Sequence, residues 1–307
     1  MRWSILIVAA LVAIGIAAAV DALRGSGRAS PPETTTRETA ASPPPAREPA
    51  ESLRGAGVTG TLYFTLRTAE GCVLDTLALP DLEEGGAFQL DWCGFDVSPE
   101  GHIATGPPCP GRRVDMHAAD GSLYSYRGCA PAWRPEGTLT FVRNGDVVTS
   151  RETLVRKVAR FAHGALGMGS RLSVQELAWL TDVRLAVRVA SPAVRTDVVI
   201  VLERGRPVSE PLFVEPTAQL HISHATEEIL VATEGGGVQV FDPGGNFVSA
   251  SRFQFGSIGA AAYSPNGRWV ALARQGNLCI YEETDPPPRE RFPLTCLPFD
   301  VVDLAWS

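Results

Sequence analysis

The chain has 307 residues and a formal net charge of −7, with 26 arginines against a single lysine, Lys157. That acidic balance excludes sequence-independent nucleic-acid binding, which needs a basic footprint. The arginine bias points to a GC-rich bacterial genome, such as an actinobacterial one, rather than to a mechanism.

Met1-Arg2 precede an apolar run from Trp3 to Val20 that only Ser4 interrupts. Its 18 residues would span roughly 27 Å as a helix, enough for a thin hydrocarbon core. A cleaved signal peptide carries a shorter apolar region of about 7 to 15 residues. Residues 1–24 are therefore read as an uncleaved signal anchor, a single transmembrane helix; the alternative is secretion after cleavage near Ala17-Ala18-Ala19. No Cys follows the run, so the lipoprotein route is closed. Arg2 ahead of the run favours a cytoplasmic N-terminus, which places the rest of the chain on the extracytoplasmic side. Only two residues then stay inside, so any signal has to pass through another protein. Residues 25–57 hold six prolines and no large apolar cluster, the composition of a disordered, partly extended linker.

From residue 58 onward a phrase recurs: an apolar strand, a corner, an acidic residue or Asn with Gly, then a second apolar strand. The clearest copies turn at Ser98-Pro99-Glu100-Gly101, Arg134-Pro135-Glu136-Gly137 and Ser264-Pro265-Asn266-Gly267. Eroded copies turn at Leu180-Thr181-Asp182 and at His224-Ala225-Thr226-Glu227. With Ser98, Arg134, Leu180, His224 and Ser264 as the ruler, the intervals are 36, 46, 44 and 40 residues, near the period of a four-stranded propeller blade. Val302 to Ser307 look like the first half of a sixth copy, and Gly60 to Leu66 like its missing second half. The C-terminal strand would then complete the sheet begun by the N-terminal strands and remove the open edges of the ring. The expectation is an all-β, six-bladed β-propeller over 58–307; the competing reading is an irregular β-sandwich with coincidental turns. The corner phrase resembles the repeat of TolB-like, WD-repeat-like β-propellers. The WD dipeptide and Gly-His pair of the strict WD-repeat class do not recur.

One stretch breaks the pattern. Leu154, Val155, Val158, Phe161 and Ala162 fall at helical spacing between basic residues, which predicts a short helix over 151–163 inserted in the third blade and packed on its edge.

Six cysteines in an exported chain suggest disulfides, with fifteen pairings open from sequence alone. The propeller register narrows them. Cys72 opens the third strand of the first blade and Cys93 closes its outer strand; Cys279 and Cys296 hold the same places in the last blade. Cys109 and Cys129 remain, in loops of the second blade. The expected bonds are Cys72–Cys93, Cys109–Cys129 and Cys279–Cys296. No Cys-x-x-Cys occurs, and neither a metal nor a cofactor is expected.

Gly55-Ala56-Gly57-Val58-Thr59-Gly60 matches the dinucleotide fingerprint literally but opens a strand instead of a helix, so it lacks the required context. His221 and His224 lie three apart on a strand, pointing to opposite faces, and are read as structural. Asp242-Pro243-Gly244-Gly245-Asn246 reads as a hairpin. No nucleophile elbow, Walker loop or His-Glu-x-x-His occurs. The site candidates come from the repeat register. Arg67, Arg143 and Arg274 end the second strands of their blades and Glu234 takes the equivalent place, with Arg113 on a neighbouring loop. Such a rim suits a carboxylate, a phosphate or an acidic peptide.

The expected function is a non-catalytic, membrane-anchored binding or scaffold module that engages a protein, peptide or glycan of the cell envelope through one propeller face. The alternative is an exported hydrolase or lyase with loop-borne catalytic residues. A third reading is the sensing half of a signalling complex. Clustered carboxylates, a metal or a Ser/His pair at the central mouth would mark the enzyme; a charged or aromatic rim would mark the binder.

Overall fold

Short strands such as Asp197–Glu203, whose five central residues are all buried, cannot stand alone, and here they assemble into antiparallel sheets that cover one another's faces. The computed structural model describes residues 48–166, 171–191, 196–208, 210–214, 217–233, 238–250, 258–274, 276–283 and 293–307. The expected anchor and most of the linker fall in 1–47, outside the described residues. Among those described, no helix is long and apolar enough to cross a membrane.

The described strands form six antiparallel sheets. Their inner strands are Val301–Trp306 in blade one, Phe95–Val97 in blade two, Cys129–Trp133 in blade three, Ser173–Trp179 in blade four, Thr217–Ser223 in blade five and Ile258–Tyr263 in blade six. In blades two to six the second strand follows the inner one along the chain, whereas in blade one the inner strand pairs with Gly60–Thr68 from the other end of the chain. In blades one and four the outer position is divided between two short strands, Glu83–Glu84 with Phe88–Leu90 and Arg206–Pro207 with Leu212–Val214.

The hydrophobic core is a series of layers between adjacent blades. Leu62, Phe64, Leu304 and Trp306 of blade one bury themselves against Ala271, Leu278 and Ile280 of blade six. Trp179, Leu185 and Ile200 of blade four pack on Ala132, Val142 and Val147 of blade three. Each layer removes large aliphatic side chains from water, and truncating one to Ala costs about 2–5 kcal/mol.

Ring closure follows the sequence expectation. Leu62 pairs with Trp306 and Phe64 with Leu304, antiparallel. Thr61 N–H donates to the Ser307 carbonyl at 2.8 Å, and Trp306 Nε1 donates to the Thr59 carbonyl at 3.2 Å. Gly60 sits where these groups crowd: its φ is +113°, and a Cβ there would lie 2.6 Å from the Ser307 oxygen. Only glycine fits.

All three expected disulfides are present, with Cα–Cα distances of 5.2, 5.2 and 4.1 Å for Cys72–Cys93, Cys109–Cys129 and Cys279–Cys296. Cys129 begins the inner strand of blade three, so the middle bond joins blades two and three instead of stapling loops of one blade.

Two local expectations change. The linker ends before residue 57, because Pro49–Ala56 is a helix, α1, with Leu53 fully buried in the core of blades one and six. Its proline stands at the start, where the missing N–H costs nothing, and Gly57 ends it in the left-handed conformation. The helix expected over 151–163 is a strand, Thr153–Val155, followed by a 3-10 turn, Val158–Ala162, and one α turn, His163–Leu166. Lys157, at φ +48°, breaks the backbone between them. Val158 and Ala162 still pack into the core between blades three and four.

Candidate functional site: the central channel

Each inner strand pairs with its second strand on one side only. Its other edge turns toward the ring axis, where unpaired N–H groups require acceptors. The channel there encloses about 730 Å³.

Acceptors come from the channel-facing positions of the inner strands. The corner residues are Ser98, Arg134, Leu180, Ser223, Ser264 and Ser307; in blade five Ser223, one before the expected His224, is the buried equivalent of Ser98 and Ser264. Four residues before the corner stand Asp303, Glu176 and Gln219, and two before it Asp96 and His221. Each reaches the inner strand of the following blade. Asp303 Oδ2 accepts from Phe95 N at 3.1 Å, Glu176 Oε2 from Leu220 N at 2.9 Å and Gln219 Oε1 from Ala261 N at 2.9 Å. Asp96 Oδ2 accepts from Trp133 N at 2.7 Å and His221 Nε2 from Tyr263 N at 3.0 Å. An acceptor four before the corner thus takes the amide three before the next corner, and one at two takes the amide one before it. The remaining positions of this register hold Gly94 or alanines such as Ala132, Ala262 and Ala305.

The electrostatics follow from enclosure. Burial pushes Asp96 up to about 7; the amides of Trp133 and Val97 pull it down, and the charge on Glu176 adds to the rise. Asp303 is raised well above the ordinary carboxylate range by burial and then by the charge on Glu176. Glu176 is raised by burial, offset by Arg188, whose Nε lies 3.2 Å away. Arg188 also holds Asp197 at 2.7 Å. Burial pushes His221 down to about 3, with a further contribution from His224. Neither Asp96 nor Asp303 is in an ion pair among the described residues.

The expected rim is only partly assembled. Arg67 lines the channel at the end away from the corners, as does Trp92, which is 44% exposed. Arg113 pairs with Asp115 at 2.9 Å and Asp91 at 3.8 Å, away from the channel lining. Arg143 and Arg274 do end their strands, opposite Asp146 and Asn277, but neither lines the channel. Those hairpins join second and third strands, displaced from the axis by about one strand spacing of 4.8 Å. Glu234 lies outside the described residues.

His221 is structural, as expected. His224 follows the strand's end, so alternation no longer governs it, and it too lines the channel. Among the described residues no group of three His, Cys, Asp or Glu is placed to hold a metal ion. In the Gly55–Gly60 segment Gly57 closes α1, so no helix N-terminus faces that loop. Asp242 receives Asn246 N at 2.7 Å and Nδ2 at 2.9 Å, the expected hairpin.

Solved structures match this architecture. The WD40 repeats of RRP9 align over 80% of this chain and 80% of that chain at 13% identity, with a TM-score of 0.52. The structure of U3-55K aligns over 80% and 81% at 13% identity, with a TM-score of 0.50. The β-propeller domain of Myceliophteria thermophila Cps50 (Swd1) covers 77% and 82% at 12% identity, with a TM-score of 0.48. The fold is a β-propeller. At these identities the likeness establishes the fold alone, and no protein-family profile and no curated protein matches the chain.

The carboxylates were missed in the sequence, although their signal was there: at the channel-facing positions of the inner strands, small residues give way to Asp, Glu, Gln or His. Three clustered carboxylates were also the sequence mark of an enzyme. Each, however, accepts a backbone amide of the next blade, so the cluster has a structural task.

Proposed function

We propose that this propeller is a non-catalytic, TolB-like binding or scaffold module, anchored on the extracytoplasmic side of the cell membrane, that engages a protein or peptide partner through the channel end flanked by Arg67 and Trp92. The observation that carries this reading is the engagement of Asp96, Glu176 and Asp303 by backbone amides, which leaves them occupied in holding the ring. An aromatic and a guanidinium beside one opening are the residue types that anchor protein interfaces. The apolar run from Trp3 to Val20 supports the anchor, and three disulfides support an oxidising compartment. Crosslinking in the native membrane with identification of the attached proteins tests the reading. A reproducible partner whose crosslinks map to the Arg67–Trp92 end supports it, and the absence of any reproducible partner counts against it.

One observation favours the exported-hydrolase reading: Asp96 near neutrality beside two further acids in an enclosed cavity is the usual setting of acid–base work. A hydrolytic activity abolished in a folded Asp96→Asn variant would establish it.

A further inference from the structure

We propose that the ring is closed by two opposed proton-linked latches: channel carboxylates of blades one and two, whose blade junctions at the amides of Phe95 and Trp133 open less readily as the carboxylates gain protons, and the His221 imidazole, which releases the Tyr263 amide when it gains one.

The geometry separates the two kinds of junction. Asp303 and Asp96 lie in succession, one on each of two adjoining inner strands, and fasten blade one to two and blade two to three. Glu176 faces them and adds its charge to both. The cations that line the channel are committed or peripheral: Arg188 holds Glu176 and Asp197, Arg134 pairs with Glu136 at 2.6 Å, and Arg67 stands at the channel lining away from the corners. Among the elements packed on Asp96, His102 receives the Ala119 amide at 3.0 Å. Three carboxylates share about 730 Å³ and only Glu176 has a cation partner among the described residues, so their charges repel and protons on Asp96 and Asp303 draw these strands together. A protonated carboxyl keeps its carbonyl oxygen as an acceptor for the neighbouring amide. His221 works in the opposite sense. It offers Nε2 as an acceptor only while neutral; the titratable groups facing it are His224 and the Tyr263 ring, 6.2 Å away, and Glu176 of the preceding inner strand takes the amide of the neighbouring Leu220.

Amide hydrogen exchange of the full chain between pH 5 and 7, corrected for the intrinsic rate, reads both latches. Opening at Phe95 and Trp133 rises with pH by up to about tenfold per unit, the ratio that one linked proton gives, whereas opening at Tyr263 falls. Asp96→Asn flattens the Trp133 response and His221→Gln flattens that of Tyr263. A second measurement needs no variant: an infrared band of a protonated carboxyl persists in the wild-type protein at pH 6. Equal corrected slopes at Trp133 and Tyr263, slopes unchanged in the two variants, or no such band at pH 6 would each overturn the proposal.

Discussion

Asp303 Oδ2 accepts the amide of Phe95 at 3.1 Å across a separation of 208 residues, fastening the last strand of the chain to the second blade. Asp303→Ala strands that buried N–H and removes the acceptor. The expected loss is about 1–3 kcal/mol of unfolding free energy, and Asp303→Asn, which keeps an oxygen, loses less. Urea titration of the three proteins checks this ordering.

The pH dependence of stability has a defined sign at Asp96. The folded protein keeps a proton there up to about pH 7, while an unfolded Asp releases it near 4. Between those values the folded state binds more protons, so stability from this group is greatest below about pH 4, falls as pH rises toward 7 and is level above. Asp96→Asn removes that slope. Denaturation midpoints from pH 4.5 to 7.5 should show the wild type converging on the variant's shallower dependence above neutrality.

The Cys279–Cys296 bond encloses a separation of 17 residues beside the ring closure. Replacing both with Ser is expected to cost about 3 kcal/mol on the chain-entropy account. The double variant's lowered thermal midpoint checks the energy, and mass mapping without reductant should return the three pairs described.

Gly60→Ala places a Cβ against the Ser307 oxygen on a backbone that L side chains rarely adopt. A loss of about 1–3 kcal/mol or more is expected. Gly86→Ala is the control, since a Cβ there meets nothing within 4 Å; it should be neutral or slightly stabilising. Comparative melting of the two variants separates local strain from a general glycine effect.

The six-bladed ring was legible because its corners are written in local chemistry. Ser98 and Ser264 each precede a Pro and turn back through Gly101 and Gly267, both at positive φ, within four residues. The cysteine pairs were legible because register alone places Cys279 opposite Cys296. Asp96 and Glu176 were not, since the amides they serve belong to another blade about forty residues away, and no local pattern names that partner. Arg143 and Arg274 misled for a related reason: their rank along the strand was right, but rank does not specify distance from the axis. Leu53 was hidden by Pro49, which composition counts as linker and helix geometry counts as a start.

Pairing Val301–Trp306 with Gly60–Thr68 also imposes an order of events during synthesis. The ribosome makes the second strand of blade one before its inner strand, so the ring cannot shut until Trp306 is available. A chain released early, short of Val301, would lack both that strand and the Asp303 bond to Phe95. It would leave the Gly60–Thr68 edge without its partner strand, an open row of backbone groups free to pair with another chain.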